Sequence, residues 1–93
     1  MGVTVELPAV LWAHARGRTV ELPATRCATV GDAIAVLAAM HPGVVDRMMD
    51  EQGALRPHVN LFVDGKNIRF ANGLLTPLGT SSTIDVVPAV SGG

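Results

Sequence analysis

Thr29-Val30-Gly31-Asp32-Ala33-Ile34-Ala35-Val36-Leu37-Ala38-Ala39-Met40-His41-Pro42-Gly43 is the one long helical pattern in this chain of 93 residues. Thr29 stands three positions before Asp32, the spacing of a helix N-cap with an acidic residue in the first turn, where the helix dipole favours negative charge. Val30, Ala33, Ile34, Leu37 and Ala38 recur at spacings of three and four and make an apolar stripe fit to lie on a sheet. Pro42 and Gly43 are expected to stop the helix. The rest of the chain reads mainly as strand, so this helix decides the fold class.

On its N-terminal side Val3, Val5 and Leu7 alternate with Thr4 and Glu6, the period of a strand with one wet face. Pro8 has no N–H to donate and ends that ladder, and Leu11 and Trp12 are expected to fold back as a helical turn over the core. Gly17 reads as the turn into a second strand from Arg18 to Leu22, closed by Pro23. On the C-terminal side, Val44 to Gln52 predicts a short amphipathic helix broken by Gly53. Val59, Leu61 and Val63 alternate with Asn60 and Phe62, Asp64-Gly65 supplies a turn dipeptide, and Lys66 to Ile68 returns as a strand. A loop carrying Leu74, Leu75 and Leu78 leads to a last strand from Thr83 to Val87, with Ile84 and Val86 inward and Pro88 ending it.

Hairpin, helix, hairpin and final strand predict an α+β fold of the ubiquitin-like β-grasp type, a mixed sheet of four to five strands with one main helix across it. Residues 1–88 are expected to form that domain and residues 89–93 a flexible C-terminal tail.

Composition narrows the function. Seven basic and eight acidic side chains give a formal net charge of −1, and no segment gathers Lys and Arg into a stripe that neutralises phosphates, which argues against nucleic acid. Val30 to Met40 falls short of the roughly 20 apolar residues that span a bilayer, so no membrane partner is expected. Glu6 and Pro8 fall where a secretory signal would run its apolar stretch, and a cytoplasmic address is the expectation. A single cysteine, Cys27, excludes an internal disulfide framework and a multi-cysteine metal cluster.

The most informative feature is Ser91-Gly92-Gly93. Glycine lacks a Cβ and lets an extended backbone enter a slot too narrow for other residues. Inside an activating enzyme the Gly93 carboxylate can attack the α-phosphate of ATP and become an acyl-adenylate, with AMP as the later leaving group. A sulfur nucleophile then leaves a thiocarboxylate, more nucleophilic than the oxygen acid it replaces. On this reading the domain is a cosubstrate and no enzyme.

The stretch Val59-Asn60-Leu61-Phe62-Val63-Asp64-Gly65, the Ile68-Arg69-Phe70 after it and the ending Val87-Pro88-Ala89-Val90-Ser91-Gly92-Gly93 resemble the ThiS/MoaD sulfur carrier family, and within it the CysO-type carriers of cysteine biosynthesis. The resemblance spans essentially the whole chain. It implies a ubiquitin-activating-type adenylyltransferase that loads sulfur onto Gly93 and consumes ATP, no cofactor bound by the carrier, and a sulfur-accepting synthase, such as a pyridoxal-phosphate cysteine synthase, as recipient.

Phe62 and Val87 are expected to share the outer face of the sheet by alternation, and exposed apolar side chains there suggest a docking patch continued by Pro88, Ala89, Val90 and Ser91. Cys27 precedes a helix N-terminus, where a thiolate is favoured, but no His or acidic neighbour in sequence activates it and burial is the plainer reading. His14, His41 and His58 show no ligand spacing, so no metal site is expected. Arg56 and Arg69 read as solvated surface or as contacts to an acidic partner groove. Two other functions keep Gly93 as the working end: a protein modifier joined to target lysines, and a synthase subunit that docks its tail permanently. An independent enzyme would need a nucleophile–base pair or phosphate loop that the chain does not display.

Overall fold

Val3 and Val5 are buried while Thr4 and Glu6 are not, and the same alternation recurs in every long strand. The computed structural model describes residues 1–88, and five strands lie within them: β1 (Gly2–Glu6), β2 (Thr19–Pro23), β3 (Val59–Val63), β4 (Lys66–Asn67) and β5 (Thr83–Pro88). They form one sheet in the order β2-β1-β5-β3-β4. The β1 and β5 strands run parallel and the other neighbours antiparallel, which gives the mixed sheet of the β-grasp fold.

The helix named first in the sequence, α2 (Val30–Met40), crosses the apolar face. Its cap is as the spacing predicts: the Asp32 N–H donates to Thr29 Oγ1 at 3.2 Å and the Thr29 N–H donates to Asp32 Oδ2 at 3.1 Å. Two donors that the helix leaves unpaired are thus satisfied reciprocally. Replacing Thr29 by alanine is expected to lower the unfolding free energy by about 1 kcal/mol, read as a shifted denaturation midpoint at unchanged slope. The buried stripe is turned slightly from the expected one: Val30, Ala33, Val36 and Leu37 are fully covered, while Ile34 and Ala38 are half-buried at its margin.

Four expectations are corrected. Pro42 and Gly43 stop α2 at Met40 as expected, but they also open α3 (Pro42–Met48), because proline is well placed at a first helical position, where its missing N–H is not needed. That helix therefore starts two residues before Val44 and stops short of Gln52. Between β1 and β2 the chain folds back at Leu11 and Trp12 as expected, in a 3-10 turn at Ala9–Leu11 and a short helix, α1 (Trp12–Ala15), but the residue that takes the left-handed conformation before β2 is Arg16, at φ 58°, and not Gly17. Trp12 Nε1 ties this excursion down by donating to the Leu7 carbonyl at 2.7 Å. Lys66 to Ile68 is a strand only through Asn67, since Ile68 begins a 3-10 turn, Ile68–Phe70. Pro88 lies inside the ladder, opposite Val59, instead of after it.

The β3–β4 turn is the dipeptide expected, with Asp64 at φ 49° and Gly65 at φ 89°, the double positive pair of a hairpin turn whose twist matches its strands. Leu22, Leu37, Met48, Leu61, Val3, Val5, Val30 and Val44 are buried nearly completely and join one core between sheet and helices. Among the described residues no helix is long and apolar enough to cross a membrane.

Candidate functional site

The site begins with β5, the central strand of the sheet. It pairs with β1 through Thr83, Ile84 and Asp85 and with β3 from Ile84 to Pro88. The strand is held on both edges as far as Asp85 and by β3 alone from Val86 to Pro88, which stands opposite Val59 at the end of the sheet. The candidate reactive and tail residues, Ala89, Val90, Ser91, Gly92 and Gly93, lie outside the described residues, and so does the expected flexible tail.

Around that exit, Phe62 and Val87 occupy the sheet face opposite the helices. Val59, Leu61 and Val63 take the core side of β3 and leave Asn60 and Phe62 half-buried on the other, while Val87 is 41% exposed. The register pairs Phe62 with Asp85 and Asn60 with Val87, which sets Phe62 and Val87 on a diagonal, within reach of long side chains. Asn67 flanks Phe62 on its other side.

The same face is acidic. Glu6 pairs with Asp85 across β1 and β5, and the Glu6 carboxyl is held above the usual glutamate range, first by its hydrogen bond to Asp85 and then by that neighbour's charge, with Arg18 pulling the other way. Thr4 donates its hydroxyl to Glu21 one strand further out. Phe62 thus sits beside a carboxylate pair that sequence reading did not assemble. Each acid shows outward parity on its own strand, but only the parallel pairing of β1 with β5 sets Glu6 against Asp85.

With this geometry in place, the comparison with known proteins is specific. A family model described as the ThiS family matches residues 5–93. The chain belongs to the ThiS family.

Among its relatives, the sulfur carrier protein CysO of Mycobacterium tuberculosis is 34% identical over the full length of both chains. The CysO-bearing crystal structure of the Amycolatopsis orientalis BexX/CysO complex superposes with a TM-score of 0.86 at 33% identity, covering 98% of this chain and 99% of that one. The crystal structure of SAMP1 from Haloferax volcanii gives a TM-score of 0.83 at 30% identity, with both chains covered completely. Family and full-length likeness place this ThiS-family protein among the sulfur carriers.

Other side chains of this ThiS-family chain take structural roles. Cys27 is 2% exposed; burial pushes its thiol up, the Asp32 charge adds to that, and Arg26 opposes it. A neutral, covered thiol is a poor nucleophile. Arg56 donates to the Asp46 carbonyl at 3.0 Å, and Arg69 donates to the Val59 carbonyl at 3.1 Å and the Pro57 carbonyl at 3.4 Å. Both guanidinium groups therefore pin the segment that leads into β3, a role that no spacing in sequence signals. Among the described residues no group of three or more His, Cys, Asp or Glu side chains is placed to hold a metal ion.

Proposed function

We propose that this protein carries sulfur as a thiocarboxylate on Gly93 and delivers it to an acceptor in a partner synthase, for cysteine biosynthesis or another sulfur-containing metabolite. The observation that carries the reading is the placement of β5: the central strand brings Pro88, paired with Val59, to the end of the sheet, directly before Ala89-Val90-Ser91-Gly92-Gly93 in the sequence. A carboxylate oxygen of Gly93 attacks the α-phosphate of ATP in a ubiquitin-activating-type adenylyltransferase, and pyrophosphate leaves. Sulfide then attacks the acyl carbon, the bond to AMP breaks, and a thiocarboxylate results. The carrier itself binds no cofactor; it is a cosubstrate, working in the cytoplasm beside an ATP-consuming enzyme. CysO of A. orientalis forms a complex with BexX, and that supports a protein partner on the same pattern here.

Intact-mass spectrometry after incubation with ATP, sulfide and the cognate activating enzyme tests the reading. The full chain is expected to gain the mass of one sulfur-for-oxygen exchange, and a chain without Gly93 is expected to gain nothing. Exchange in both would remove Gly93 as the reactive residue.

Docking of the activating enzyme is assigned to Phe62 and Val87, continued by Pro88, Ala89, Val90 and Ser91. Phe62→Ala is expected to weaken binding by more than about 1 kcal/mol, as truncating a central aromatic anchor does. Titration by calorimetry reads it, and unchanged affinity would take Phe62 out of the interface.

The likeness to small archaeal modifier proteins favours one second reading, conjugation of Gly93 to target lysines. The same adenylate serves both, and the nucleophile separates them. Conjugation gives heavier species that resist reducing agent, whereas sulfur loading leaves a single chain of altered mass.

A further inference from the structure

Thr19, Glu6, Asp85, Phe62 and Asn67 stand opposite one another in turn and make one row across all five strands. The row lies on the face away from the helices. Adjacent strands are about 4.8 Å apart, so Asp85 has a carboxylate, that of Glu6, on one flank and an aromatic ring, that of Phe62, on the other. Val87 extends the apolar end by a diagonal step from Phe62.

Two acids directly opposite destabilise a sheet, and little here offsets them. Arg18 is the weakest of the influences on the Glu6 carboxyl, and its guanidinium lies over the Trp12 ring, 5.2 Å from the centroid. Lys66, the one basic residue within the five strands, stands opposite Val63 on the core side. Glu21, also of outward parity, adds a third acid and accepts the Thr4 hydroxyl. The open face is therefore anionic. Such a face repels phosphates, so nucleic acid and anionic lipid are unfit occupants, and a protein surface that brings a cation is its complement. A guanidinium suits the row better than an ammonium: its planar fork grips a carboxylate through two N–H donors while its face stacks on an aromatic ring.

We propose that the activating enzyme docks on this face through an arginine whose fork binds Asp85, with Glu6 as a second acceptor and Phe62 beneath the guanidinium plane. The proposal rests on the reading of Phe62 and Val87 as the docking surface, and it makes Glu6 and Asp85 specificity-determining residues for charging. Opposed acids weaken the free chain and serve it only in the complex. A substitution that removes one of the two charges therefore moves stability and docking in opposite directions, which no purely structural pair does.

Calorimetric titration of the full chain against the cognate activating enzyme at neutral pH, with the thermal midpoint of each variant measured alongside, tests the proposal. Glu6→Gln and Asp85→Asn are each expected to raise Kd about tenfold, the lower end for close charge pairs across an interface. Their midpoints are expected to rise by about 2 °C, because the repulsion is gone. KM for charging follows Kd, and kcat holds. Phe62→Leu, which stays apolar but loses the ring face, is expected to weaken docking several-fold in the wild-type background and much less beside Asp85→Asn, since both act on one guanidinium. Asp46→Asn removes the same charge from α3 and is expected to leave Kd unchanged. Unchanged affinity in Glu6→Gln and Asp85→Asn overturns the proposal, and so does a midpoint that falls together with the affinity. If Phe62→Ala weakens docking while both acid variants bind normally, the arginine is refuted and the docking face stands; if all three bind normally, the face falls with it.

Discussion

Gly92→Val is expected to lower the rate at which Gly93 is charged by at least about 100-fold, with the thermal midpoint unchanged. Position 92 follows the last residue of β5, Pro88, by four places in the sequence. On the proposed function the loss arises in the partner: a carboxylate that is to reach the α-phosphate of a bound nucleotide would enter on a bare glycine backbone, and valine adds a branched Cβ with one strongly preferred rotamer. Displacing a reacting group by about 1 Å costs on the order of 100-fold in rate. Single-turnover charging followed by intact mass measures the effect, and Ser91→Ala, which removes a hydroxyl without adding bulk, is the control expected to charge normally. Undiminished charging of Gly92→Val would show that slimness of the tail is not what the partner reads.

What the sequence discloses about this fold is what local chemistry decides. The Thr29 and Asp32 pair closes within one helical turn, so its capping box is legible from spacing alone. Asp64-Gly65 is similarly self-contained, because two consecutive positive φ values suit few other residue pairs. Pro42 is half legible because one residue type serves two roles: that it stops the helix before it can be read, whereas that it also starts a new one depends on the bend at His41, with φ −140° and ψ 73°. Arg16 shows the converse, a left-handed residue immediately before the glycine that seemed to own the turn.

Long-range register was the part least open to reading. Strand alternation assigns Phe62 and Val87 to the outer face, and the pairing of β3 with β5 agrees. Alternation does not say that β1 and β5 lie side by side, so the Glu6–Asp85 pair beside Phe62 stays hidden until the parallel register is known. A groove beside Pro88 is further removed still, since it joins Leu11, Met48, Val59 and Val86 from four separate segments. Arg56 and Arg69 belong to the same class, as their partners are backbone carbonyls ten or more positions away.

The core yields the second large effect. Leu61→Ala is expected to lower the unfolding free energy by about 2–5 kcal/mol, the range for truncating a fully buried leucine that leaves a cavity. Leu61 is 0% exposed and stands opposite Val86 at the middle of the β3–β5 pairing. The strand that holds it also carries Phe62 on its other face and Val59, the residue paired with Pro88. A loss of that size is a large fraction of the stability of a small domain. Urea denaturation by circular dichroism measures it, with Leu75→Ala, at a side chain 76% exposed, expected to stay within about 0.5 kcal/mol of wild type. On the proposed function, Leu61→Ala protein that remains folded is still expected to be charged on Gly93, because the leucine contributes to the core and not to the reactive end. Equal stability losses at Leu61 and Leu75 would contradict the burial that separates them.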